Sequence, residues 1–237
     1  MRRPLVILLH GTRFNAKAWD GYTNLLDADL RPVDLPGHGL RAGRPWSSEA
    51  ALAVIDEEVA SAAPGTPIVL VGHSLGGYVA TAWAGRHPDA LAGLVLVGAM
   101  ADPRRHPVLT RTYTGFARLL PLVGAERMAS AANAVLRVLG LGRDALPDAT
   151  GYAVMPEAWR AVVSEAGCHH LHEVRCPVWL VAGQFDQLGI DLRRYARACR
   201  DPHVVVVRGA THLLPFTHQP QLAEVVRAAC LTAGAGG

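Results

Sequence analysis

Five short apolar runs punctuate the chain: Leu5–Leu9, Ile68–Val71, Leu94–Val97, Val178–Val181 and Val204–Val207. Each is continuous rather than alternating and rich in Val, Ile and Leu. This pattern predicts strands buried on both faces, as in a parallel sheet covered by helices. A weaker sixth strand is predicted at Leu30–Leu35, which runs into Pro36–Gly37. Between the runs, Ser48–Ala62 places Leu52, Ile55, Val59 and Ala62 at helical spacing, and Gly76–Arg86 is small and apolar up to Pro88. Strand and helix in alternation predict an α/β class with a doubly wound, mainly parallel sheet of about six strands. From 101 to 174 the rhythm breaks. That stretch has no strand-like run and reads as a helical insertion over a core made of 1–100 and 175–237.

Composition narrows the classes. Half the residues are hydrophobic and 18% are charged, which excludes general disorder. A net charge of +3 with dispersed arginines argues against a nucleic-acid face. No run approaches the ~20 apolar residues of a membrane span. The apolar stretch near the N-terminus is too short for a signal peptide, lacks an Ala-x-Ala site, and reads as the first strand. Cys168, Cys176, Cys199 and Cys230 form no Cys-x-x-Cys pair, so reduced thiols and a cytoplasmic location are expected. Lys17 is the sole lysine, which excludes a Gly-Lys-Ser/Thr phosphate loop.

The chemistry concentrates where the second run enters Gly72–His73–Ser74–Leu75–Gly76–Gly77. Gly-x-Ser-x-Gly between a strand and a helix sets the serine on a sharp, strained turn, with glycines where side chains would collide. The hydroxyl is pushed out at the carboxyl end of the sheet, and the following helix aims its free N–H groups at the same point.

A serine needs a base, and the base needs an orienting acid. Asp186 follows the strand Val178–Val181, and His212 follows Val204–Val207; both are expected on the same sheet edge as Ser74. Asp102, after the strand Leu94–Val97, competes for the role of acid. His10, His38 and His73 sit in turns where hydrogen bonding to backbone is the expected role, and His218 is placed inside the last helix. The oxyanion hole is expected from the N–H of Leu75 and that of Thr12, whose neighbour Gly11 lets the first loop approach closely.

Taken together, HGT at 10–12, DLPGHG at 34–39, GHSLGG at 72–77, GQFD at 183–186 and GATH at 209–212 resemble the α/β-hydrolase superfamily. The likeness runs over nearly the whole chain and is weakest across 101–174. It is strongest to the small, cap-bearing serine esterases of the carboxylesterase, methylesterase and hydroxynitrile lyase-like group. The resemblance implies that 101–174 is a helical cap shaping the substrate pocket. With no amino-terminal hairpin before the first strand, it implies six strands rather than eight. The catalytic lysine of the hydroxynitrile lyases has no counterpart, since Lys17 lies in the first loop.

Weaker signals read as structure. Cys168–His169–His170–Leu171–His172 has no second ligand cluster beside it, so it reads as a polar return from cap to core, with His169 or His170 as possible pocket residues. The segment from Asp102 to Arg143 carries seven arginines against Asp102 and Glu126, a pattern read as a solvated helix face, with attraction of an anionic acyl or thioester substrate as the alternative. Tyr113, Phe116, Tyr152 and Trp159 read as helix-packing aromatics, although the inner face of a cap can also serve as a substrate contact.

The expected function is a serine hydrolase cleaving a carboxylic ester through an acyl-enzyme, with no metal or organic cofactor. Ser74 is the nucleophile, His212 the base, Asp186 the acid, and the Thr12 and Leu75 amides the oxyanion hole. The expected partner is a small acyl ester, not nucleic acid. A thioesterase or lactonase with the same triad, a C–C bond hydrolase and a non-catalytic ligand-binding protein on this fold are the alternatives.

Overall fold

In the computed structural model, residues 2–138, 141–142 and 146–235 are described. Six strands form one wholly parallel sheet: β1 (Leu5–Leu9), β2 (Asp29–Val33), β3 (Ile68–His73), β4 (Gly93–Val97), β5 (Val178–Gly183) and β6 (Pro202–Val207). Their spatial order is β2-β1-β3-β4-β5-β6. The helices are α1 (Ser48–Ser61), α2 (Leu75–Arg86), α3 (Pro107–Val123), α4 (Ala125–Val138), α5 (Thr150–Ala153), α6 (Met155–Glu165), α7 (Leu192–Ala198), α8 (Leu214–Thr217) and α9 (Gln219–Ala235).

The continuous apolar runs are explained by the two layers. Leu5, Ile7 and Leu9 of β1 pack with Leu52 and Ile55 of α1, Tyr78 and Trp83 of α2, and Tyr195 of α7. Val6 and Leu8, on the opposite face, pack with Trp19, Tyr22 and the α9 residues Leu222 and Val226. Successive side chains of a strand point to opposite faces, so a strand covered on both sides has no polar position to spare. Each fully buried Leu or Ile contributes roughly 1.5–3 kcal/mol. Ser47 starts α1 by accepting the Ala50 N–H at 3.0 Å.

The fifth apolar run, Val204–Val207, departs from expectation. β6 is an edge strand, and its side chains are mostly exposed, with Val204 at 50% and Val206 at 52%. Burial on both faces requires a helix on each side and a neighbouring strand, and β6 lacks the outer neighbour among the described residues. The weak strand predicted at Leu30–Leu35 forms as Asp29–Val33, at the opposite edge. His218 also lies elsewhere than expected: it falls between α8 and α9 rather than within the last helix.

Helices α3 to α6 connect β4 to β5. Within this segment the Tyr113 and Trp159 rings stack at 4.5 Å, and Tyr152 is fully buried. Arg104, Arg105, Arg111, Arg118, Arg127 and Arg137 are all exposed, in keeping with a solvated face, while Arg143 lies outside the described residues. Gly151 of α5 rests on the loop after β1: a Cβ there would meet His38 Cδ2 at 2.8 Å and the Thr12 carbonyl at 3.0 Å. Among the described residues, no helix is long and apolar enough to cross a membrane, and all four cysteines are free.

Candidate active site

Ser74 stands at φ 53°, ψ −117°, the one non-glycine residue of the described chain with positive φ. The turn holds because its neighbours are glycines. A Cβ on Gly76 would meet the Leu9 and His10 carbonyls at 2.6 and 2.7 Å, and one on Gly72 would collide with the Gly76 carbonyl. The bend is pinned by the Ser74 N–H donating to Val97 O at 2.8 Å and the Gly76 N–H donating to His10 O at 3.1 Å. Strain of this kind costs of order 1–3 kcal/mol and persists where the surroundings over-determine it.

Two loops from the last strands close on this turn. The one after β5 carries Asp186 and the one after β6 carries His212, and they interlock. The Phe185 N–H donates to Ala210 O at 2.9 Å, and a side chain at Gly183 would meet the Ala210 and Thr211 carbonyls. The result brings three of the sequence-predicted residues into one line. His212 Nδ1–H donates to the Asp186 carboxylate, 3.0 and 3.1 Å from its oxygens, and His212 Nε2 accepts the Ser74 hydroxyl at 3.0 Å. These proton positions follow from the network, since the carboxylate accepts only. The Asp186 side chain is 2% exposed. Burial alone would push its carboxyl up; the hydrogen bonds from His212 and the Leu188 N–H hold it below the usual carboxylate range.

Asp102, the competing acid, is held elsewhere. Its Oδ1 accepts the Arg104 backbone N–H at 3.1 Å and Arg104 Nε at 3.3 Å, at the start of the 101–174 segment. Leu75 follows Ser74 directly and Thr12 lines the same cavity as Ser74, and neither amide N–H donates to a backbone acceptor among the described residues. Leu75 opens α2, so its amide carries the positive end of the helix dipole.

The three motif histidines all meet backbone. His10 donates Nδ1–H to Gly11 O at 2.9 Å and accepts the Leu35 N–H at 3.1 Å on Nε2. His38 sits between the carbonyls of Pro36 and Thr12, at 2.9 and 2.6 Å. His73 donates Nε2–H to the His212 carbonyl at 3.0 Å, holding the backbone that carries the imidazole, with ring centroids 4.9 Å apart. Asp34 completes the bracing by accepting the Ala16 and Leu40 N–H groups at 2.7 and 2.8 Å.

Burial lowers all three histidines, and His73 falls to about 3. A neutral His73 matters, because a cation at that distance would oppose protonation of His212. It also sets an acid limit. In the unfolded chain His73 titrates near 6.5, so between pH 6.5 and 3 the unfolded state binds the extra proton, and stability is lost as pH falls. For His73 alone the loss reaches about 2 kcal/mol by pH 5. The melting temperature should therefore drop steadily from pH 7 to 5, and His73→Gln should flatten that slope; equal slopes in both proteins would place the acid sensitivity elsewhere.

Sequence reasoning passed over two residues. Gly98, just past β4 at φ 57°, has no room for a side chain: a Cβ would meet Asp186 Oδ2 at 2.6 Å and His212 Nδ1 at 2.9 Å. A glycine directly after a buried run was the available signal. The second is Arg13, which lines the cavity over Ser74. That cavity, about 760 Å³, is walled by the loop after β1 on one side and by α3, α4 and α6 on the other. Tyr113, Phe116 and Trp159 line it, whereas His169 and His170 do not. His170 Nε2–H instead donates to Glu165 O at 3.0 Å, and no cluster of metal ligands occurs among the described residues.

The sequence signature described as the alpha/beta hydrolase family matches residues 6–226. The pimeloyl-[acyl-carrier protein] methyl ester esterase of Aromatoleum aromaticum is 32% identical over 217 residues, covering 79% of this chain and 82% of that protein. The protein of the same name from Neisseria meningitidis serogroup C is 30% identical over 246 residues, covering 94% and 91%. The structure of a thermophilic esterase from Thermogutta terrifontis superposes with a TM-score of 0.72 at 24% identity, over 97% of this chain and 90% of that one, a likeness of fold. The strand order, the serine turn and the signature spanning all but the ends of the sequence agree: the chain is a hydrolytic enzyme and belongs to the alpha/beta hydrolase family.

Proposed function

We propose that the protein is a serine esterase that cleaves a small carboxylic ester through an acyl-enzyme, with residues 101–174 as a cap over the site. The observation that carries this reading is the hydrogen-bonded line from Ser74 through His212 to Asp186, with Ser74 and His212 lining the cavity beneath α3, α4 and α6. His212 Nε2 takes the Ser74 proton as Oγ attacks the acyl carbon. Charge developing on the carbonyl oxygen is received by the Thr12 and Leu75 N–H groups, and Asp186 stabilises the imidazolium. His212 then gives its proton to the leaving alkoxide. Water, deprotonated in its turn by His212, attacks the acyl-serine and releases the acid.

The named relatives are methyl ester esterases, which supports an ester substrate over a thioester or lactone. A fluorophosphonate probe should label Ser74 stoichiometrically, and a panel of p-nitrophenyl esters, acyl thioesters and lactones should rank the esters first. Absence of labelling with an intact fold would point to a non-catalytic binding protein; preference for thioesters would change the substrate class.

A further inference from the structure

The cavity over Ser74 is apolar almost throughout, with Leu109, Phe116, Met128, Val135, Leu136 and Trp159 among its walls. Among the described residues no aspartate or glutamate lines it, and apart from the two histidines beside Ser74 its one ionisable basic side chain is Arg13. This arginine is half-buried, lies beside the Tyr152 hydroxyl, and meets no carboxylate among the described residues. Directly before it in the chain, Thr12 presents a buried hydroxyl that lines the same cavity and has no hydrogen-bond partner among the described residues. A guanidinium placed in an apolar cavity loses hydration and is stabilised by an anion that can take its paired N–H groups. A buried hydroxyl without a partner is likewise an unmet donor.

The position is specific. Thr12 supplies a proposed oxyanion amide, the Arg13 Cα follows it at about 3.8 Å, and both residues line one cavity with Ser74. The loop is rigid. His38 holds the Thr12 carbonyl, and Gly151 packs against that carbonyl and the Arg13 Cα.

We propose that Arg13, with the Thr12 hydroxyl beside it, is a carboxylate subsite, and that the substrate is a small ester carrying a free carboxylate a few bonds from the ester carbonyl. This rests on the esterase reading above and narrows it to one substrate class. The bond broken is the ester bond alone: water adds, an alcohol leaves, and the distal carboxylate is held unchanged.

Matched pairs of esters test it: monomethyl glutarate against its terminal amide, and 4-acetoxybutanoate against 4-acetoxybutanamide. The first pair puts the charge in the acyl part and the second in the alcohol. In at least one pair the parent enzyme should favour the carboxylate by about tenfold or more in kcat/KM, carried mainly by KM. That ratio should fall to near one in Arg13→Met and invert in Arg13→Glu. A structural role for Arg13 would lower both members of a pair equally and leave the ratio alone. A parent enzyme that treats both members of both pairs alike, or prefers the amides, overturns the subsite.

Binding provides an arm that does not depend on turnover. Glutarate should bind the Ser74→Ala protein at least about tenfold more tightly than glutaramide, and the added Arg13→Met change should abolish the difference. If no ester is hydrolysed, the esterase reading fails and the glutarate comparison alone decides the subsite. If esters are hydrolysed without preference and glutarate does not bind selectively, the subsite fails and the esterase stands.

Discussion

Replacing Ser74 with alanine should reduce ester turnover by ~10⁴–10⁶, the loss usual for removing one member of a nucleophile–base unit. The substitution takes away only the Oγ that donates to His212 Nε2, so folding should be intact and fluorophosphonate labelling absent. Alanine keeps the backbone penalty of φ 53°, ψ −117°, because a Cβ is still present. Glycine relieves it. Ser74→Gly should therefore be as inactive as Ser74→Ala yet more stable than it by about 1–2 kcal/mol, against the normal cost of glycine. Thermal melts of the two inactive variants read this directly. Retention of more than about a tenth of parental turnover in either would remove Ser74 from the role of nucleophile.

Asp186→Asn should lose at least about a hundredfold in kcat near neutral pH, and up to about 10⁴. Asparagine can offer an N–H toward His212 Nδ1, which favours the ring tautomer with its proton facing Ser74. It also removes the charge that stabilises the imidazolium. The same change at Asp102 should alter turnover by less than about tenfold, since that carboxylate is taken up by Arg104 at the entrance to the 101–174 segment. Assays of both variants on one p-nitrophenyl ester, with melting curves alongside, give the ranking; the reverse order would move the acid to β4.

The core of this arrangement is readable from local signals. The strand-to-helix glycines predict the bend at Ser74 because steric exclusion is a short-range effect, and the Gly72 and Gly76 contacts are the collisions a sequence can foresee. Asp186 and His212 are legible because both follow apolar runs, and in a parallel sheet every such position falls on one edge. What the sequence did not disclose depends on strand order. The exposure of β6 follows from its place at the edge, and its valines look the same as those of a central strand. Gly98 faces the Asp186–His212 pair only because β4 and β5 are neighbours, and Arg13 faces the cavity only because α3 to α6 fold over the loop after β1. Periodicity carries no information about either.

The distance along the chain between the parts of the site has a kinetic meaning. Ser74 bends against β1 and β4, so its turn depends on residues made early. Its imidazole comes 138 residues later, on the loop after β6. A chain emerging from the ribosome presents Ser74 well before residue 212, and until then it has no imidazole at that place to take the proton. A lone hydroxyl of that kind is a poor nucleophile. On the proposed reading the pair exists only once β5 and β6 have joined the sheet, so Ser74 stays a weak nucleophile in any partly assembled chain.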